Sequence, residues 1–101
     1  MTIKTVGERL SWLRYVSSLT QAEVGELAEL SHACVGHIEN EIRRPLAETL
    51  ARVASVFGCS LDWLASGIGP APSPTAVRAA VAAAARQRDA VAVARQRRGI
   101  A

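Results

Sequence analysis

The stretch Thr20-Gln21-Ala22-Glu23-Val24-Gly25-Glu26-Leu27-Ala28-Glu29-Leu30-Ser31-His32-Ala33-Cys34-Val35-Gly36-His37-Ile38-Glu39-Asn40 contains two helix starts separated by a very short connection. Thr20 with Glu23 is a capping-box pattern, in which hydroxyl and carboxylate satisfy each other's free amides. Val24, Leu27 and Ala28 then give the first helix an apolar side. Ser31 is the N-cap of a second helix whose inward positions are Val35 and Ile38.

The flanks read the same way. Thr5 and Glu8 form an earlier capping-box pattern, followed by Val6, Leu10 and Leu13 at one-face spacing. Ser17-Ser18-Leu19 breaks that helix, and Asn40 and Pro45 bracket a polar connection after the third. The spacing of Leu46, Leu50, Val53, Ala54 and Phe57 predicts a fourth helix, stopped by Gly58. Ser60 caps a fifth, Leu61 to Ala65, closed by Gly67 and Gly69. Residues 1–69 are thus expected to form one domain of five short helices. Residues 70–74 are a proline-rich linker, stiff and extended. Residues 75–101 are rich in Ala and Arg, a tail of high helix propensity. Its arginines scatter around the axis and Val77, Val81 and Val91 make only a thin stripe, so a frayed, solvated helix is the expectation.

Composition supports an all-α chain. At 101 residues there is room for one modest core, and with 50% hydrophobic but 4% aromatic content the chain suits closely packed small helices. The longest uncharged apolar run, Ala79 to Ala85, is far too short to span a membrane. Glu8 precedes any apolar block, which argues against a secretory signal. Cys34 and Cys59 make neither a disulfide scaffold nor a zinc cluster. A cytoplasmic, reduced setting is expected. The net charge of +3 conceals an asymmetry: residues 1–69 carry six Lys/Arg against eight acids, and residues 70–101 carry six Arg against Asp89 alone. Basicity belongs to the tail, so any claim that the domain binds nucleic acid must rest on placement.

Residues 20–40 closely resemble the helix-turn-helix of the XRE family, the Cro and lambdoid-repressor-like DNA-binding domains. Gly7-Glu8-Arg9-Leu10 with Leu13-Arg14 resembles that family's first helix. Arg43-Arg44-Pro45 with Glu48-Thr49-Leu50-Ala51 resembles its fourth, and Ser60-Leu61-Asp62-Trp63-Leu64 with Ser66-Gly67 its fifth. The resemblance implies a five-helix lambda-repressor-like domain. The steep helix crossing and tight turn of that fold require small or apolar residues, here Val24, Gly25, Ala28, Leu30, Val35 and Ile38, with Gly25 at the closest approach. Two positions depart from the family pattern. Glu29 stands where a glycine at positive φ is usual, a cost of roughly 1–2 kcal/mol if the geometry is kept. Leu46 replaces the usual serine cap of the fourth helix.

With Val35 and Ile38 inward, helical geometry turns His32, Ala33, Gly36 and His37 outward, and the resemblance makes these the base-reading positions. A histidine can donate to guanine N7 or O6, Ala33 can touch a thymine methyl, and Gly36 offers only close approach. For each histidine, phosphate contact or simple exposure stays open. They are a poor pair for a metal, being five residues apart with no third ligand in view. The resemblance implies phosphate contacts from Thr20 and Gln21 at a helix N-terminus, from Ser31, and from Asn40, Arg43 and Arg44. It pairs Arg14 with Glu39 in a structural ion pair. It also implies a dimer contact at Leu61, Trp63 and Leu64, although Trp63 could equally cover its own core, as Trp12 is expected to do.

The expected function is a sequence-specific transcriptional regulator: a repressor that binds double-stranded DNA as a homodimer on a palindromic operator, with no cofactor. A prophage-type repressor, a restriction–modification controller and a self-repressing antitoxin share this pattern. The alternative is a protein-interaction module or antitoxin that binds a protein partner through residues 75–98, favoured by the net −2 of the domain and the bare Ala33 and Gly36. No nucleophile–base pair, phosphate loop or metal cluster points to an enzyme.

Overall fold

In the computed structural model, residues 3–100 are described. The outermost residues of the expected domain and tail, Met1, Thr2 and Ala101, lie outside them. The described chain is all-helical. Helices run α1 Val6–Ser17, α2 Gln21–Ala28, α3 His32–Glu39, α4 Ala47–Phe57, α5 Leu61–Ser66 and α6 Pro74–Ile100.

Local chemistry sets most of these boundaries. The Thr5 hydroxyl accepts from the Glu8 amide at 3.1 Å. At α2 both halves of the capping box form: the Glu23 amide donates to the Thr20 hydroxyl at 3.1 Å, and the Thr20 amide to the Glu23 carboxylate at 2.9 Å. Ser31 and Ser60 cap α3 and α5 by accepting from the Cys34 and Trp63 amides, each at 3.0 Å. Helix α4 starts without such help. Leu46 occupies its N-cap with no side-chain hydrogen bond. Leu46 was expected on the apolar stripe with Leu50, but lying outside the helix it is 73% exposed.

The core gathers Leu10 and Leu13 from α1, Val24 and Ala28 from α2, Val35 and Ile38 from α3, and Leu50, Val53 and Phe57 from α4. Trp63 and Leu64 close it from α5, with Trp12 meeting Trp63 edge-on at 6.0 Å between ring centroids. A buried charge also holds α5. Arg9 donates to the carbonyls of Leu64 at 2.8 Å, Ala65 at 3.1 Å and Ile3 at 3.3 Å. A cation at a helix C-terminus meets the negative end of the helix dipole as well as otherwise orphaned carbonyls.

The tail departs from expectation. Helix α6 begins at Pro74, a favoured first-turn position, behind Ser73, whose hydroxyl accepts from the Ala76 amide at 3.1 Å. Its first half is docked on the body against α1 and α4: Val77 is fully buried, and Val81 and Ala84 pack against the core. Arg78 donates to the Val16 carbonyl at 3.3 Å. The thin valine stripe suffices because alanines around it allow close approach. At Gly58, which ends α4 with φ 65°, an added Cβ would lie 2.7 Å from the Ala80 Cβ.

Candidate nucleic-acid interface

Helices α2 and α3 meet through Glu29, Leu30 and Ser31. Glu29 adopts the left-handed conformation (φ 59°, ψ 44°), so the geometry usual for glycine is kept by a residue with a Cβ. The Leu30 amide bonds back to the Gly25 carbonyl at 2.7 Å, which tightens the turn. A Cβ on Gly25 would sit 2.5 Å from the Leu30 carbonyl oxygen, so the turn backbone lies directly on that glycine. Gly7 is a second such contact: its Cβ would meet the Glu39 and Ile38 carbonyl oxygens at 2.6 and 2.7 Å. There α1 touches the end of α3.

A charged network fixes α3 from the other side. Arg14 binds Glu39 with two parallel bonds, Nε to Oε2 at 2.6 Å and Nη2 to Oε1 at 2.9 Å, while its Nη1 donates to the Leu19 carbonyl at 3.0 Å. Gln21 Nε2 donates to the same Glu39 Oε1 at 2.8 Å, so one carboxylate ties α1, α2 and α3 together. Only 6% of the Glu39 side chain is exposed. Burial pushes its carboxyl up, but the hydrogen bonds from Arg14 and Gln21 and the charge of Arg14 more than offset this and hold it below the ordinary value.

With Val35 and Ile38 buried, the opposite face of α3 stands free. His32 and Ala33 are exposed, Gly36 and His37 half-buried, and Asn40 exposed at the end of the helix. Gly36 is spanned by Gln21, whose Oε1 would lie 3.4 Å from an added Cβ. That neighbour is the end of a flexible side chain, so Gly36→Ala is expected to stabilise the domain by about 0.5–1 kcal/mol through helix propensity, read as a rise in denaturation midpoint.

The phosphate candidates divide into two groups. Thr20 and Ser31 are exposed, and their hydroxyls already accept from the Glu23 and Cys34 amides; Gln21 is half-buried and committed to Glu39. The capping box uses the Thr20 and Glu23 amides, and among the described hydrogen bonds those of Gln21 and Ala22 have no side-chain partner. The Thr20 amide and hydroxyl hold the Glu23 carboxyl below its ordinary value, so a negative charge shares this helix end. Asn40, Arg43 and Arg44 are exposed beyond α3, and neither arginine forms an ion pair among the described residues. Between them Glu41 also takes a positive φ of 57°, a strained position that the sequence does not signal.

The expected dimer contact is corrected in two of its three residues. Trp63 is 3% exposed and Leu64 fully buried inside the protomer, because the short α5 turns both into the cleft beside α1 and α4. Leu61 alone reaches the surface, at 37%. Sequence reading had missed Arg9, the closeness of Gly7 to α3 and the share of Gln21 in the Glu39 network. A glycine three residues before the buried Leu10 was the available hint for Gly7; the other two depend on contacts distant in sequence.

Comparison with known proteins agrees with this geometry. A family model described as helix-turn-helix matches residues 17–64. Two curated relatives, each named HTH-type transcriptional regulator PuuR, come from Escherichia coli (strain K12) and Shigella flexneri. Each is 36% identical over 55 residues, covering 54% of this chain and 30% of the relative. The chain therefore spans less than a third of the length of these relatives. No solved structure gives a significant match. The αL turn at Glu29 and the inward Val35 and Ile38 fall within the residues matched by the family model, so residues 17–64 are similar to a helix-turn-helix domain in sequence and carry its turn in structure.

Proposed function

We propose that the chain is a sequence-specific DNA-binding transcriptional regulator that acts as a repressor, binding a palindromic operator as a homodimer with α3 in the major groove. The observation that carries this reading is the free outer face of α3, held at a fixed angle by Glu39 on one side and by the Gly25 contact on the other. Names of the relatives support regulation of transcription. His32 and His37 would donate to guanine N7 or O6, and Ala33 would meet a thymine methyl. Gly36 would contribute no contact of its own, since Gln21 spans it. The amides of Gln21 and Ala22, with Ser31, Asn40, Arg43 and Arg44, would position the domain on the phosphates.

Few basic groups surround this face, so one domain alone binds modestly, and two-fold pairing supplies affinity as well as selectivity. The test is capture of sheared DNA from the source genome by the full chain at about 150 mM salt, followed by sequencing. Enrichment of an inverted repeat, half-sites ~10 bp apart centre to centre, is the expected result. Retention of DNA with no shared sequence, or of none, overturns the reading.

A further inference from the structure

Helix α6 is longer than the body it packs on. Its 27 residues extend about 40 Å. Among the described ion pairs, the one nearest its end is that of Arg88, 3.9 Å from both Glu26 and Glu29 of α2. From Asp89 onward every residue whose exposure is described is exposed, Val91 at 38% and Val93 at 46%. Residues 89–100 thus form an overhang of about three turns, shorter than a helix that holds by itself in water.

Where α6 leaves the body, a groove of about 1220 Å³ opens between it and helices α2 and α4. Leu27 and Val56 are on its body side, and Ala80 and Ala84 on its α6 side. Its lining is net acidic: Glu23, Glu26 and Glu29 from α2, Glu48 from α4 and Asp89 outnumber Arg52, which pairs with Glu48 at 3.1 Å, and Arg88. Glu26 and Glu29 remain 70% and 69% exposed, so the long contacts to Arg88 leave them open to further cations. The overhang carries the complementary charge, with Arg95, Arg97 and Arg98 against Asp89. Asp89 and Val91, at its root, still line the groove of their own copy, and α6 then continues as one helix to Ile100.

We propose that two copies of this chain pair by exchanging overhangs, the net positive end of each α6 lying along the net acidic groove of the other copy. The arrangement is reciprocal and closes on a two-fold axis. No groove-lining residue belongs to α3, so the reading face stays free in the dimer. The inference deepens the dimer part of the functional reading, and its test contains no DNA, so the two can fail separately.

The experiment is a charge exchange read by sedimentation or light scattering. The full chain should have twice the 10.7 kDa mass of one copy at tens of micromolar. A rim variant, Glu26→Lys with Glu48→Lys, and an overhang variant, Arg95→Glu with Arg97→Glu and Arg98→Glu, should each self-associate at least about tenfold more weakly. Circular dichroism checks that both stay folded. Mixed in equal amounts they should recover the dimer, because both rim–overhang contacts are then complementary. A monomeric full chain, variants that dimerise as the parent does, or a mixture that stays monomeric would each overturn the proposal.

Discussion

Arg14→Ala is expected to lower the stability of the domain by about 3 kcal/mol, near the low end for breaking a buried ion pair. The low end applies because the Arg14 side chain is 26% exposed, whereas its partner Glu39 is 6% exposed and would lose both hydrogen bonds from Arg14 while keeping that from Gln21. In a domain of this size the loss is roughly 12–24 °C in melting temperature. An unchanged melting temperature would remove the structural role given to the pair. The same carboxylate predicts an acid limb. Because its folded-state pKa is depressed, its contribution is complete above the unfolded-state value of about 4.3 and is lost as pH falls through the lower folded value. Glu39→Gln should therefore be less stable than the parent at neutral pH, and the gap should close below about pH 4.

Gly25→Ala should cost about 2–3 kcal/mol, roughly 8–24 °C in melting temperature, although it adds one methyl group and raises helix propensity. The methyl carbon would lie 2.5 Å from the Leu30 carbonyl oxygen and 3.3 Å from the His32 nitrogen. Both are backbone atoms, and neither can rotate away. To admit it, α3 must move relative to α2, so DNA binding should fall by more than the stability loss explains. The contrast with Gly36→Ala, where only the tip of Gln21 is in the way, makes the pair decisive. Equal effects at the two glycines would show that helix propensity, not the approach of the turn, governs this motif.

What could be read in the sequence was what depends on neighbours along the chain. Thr20 with Glu23, Ser31 and Ser60 mark helix starts because a cap acts within four residues. Val35 and Ile38 define the buried side of α3, and thereby its free side, through the helical period alone. Arg14 and Glu39 are 25 residues apart, and nothing local pairs them; only the family resemblance did. The docking of α6 was missed for a physical reason. Between two helices rich in small residues, close approach substitutes for large apolar side chains, so one buried Val77 with Val81 and Ala84 suffices. Trp63 misled in the opposite way. A large aromatic on a six-residue helix resembles a surface anchor until the fold turns that helix inward. Arg9 gave no sign of burial, since its partners are main-chain carbonyls.

The central claim is that the outer face of α3 reads bases, and it is tested most directly by the genomic capture run in parallel with a His32→Ala, His37→Ala protein. Neither histidine is buried, so the variant should melt with the parent. The account predicts that the parent enriches one inverted repeat and that the variant, equally folded, loses that preference by at least about tenfold. A variant that enriches the same repeat as strongly as the parent would contradict it.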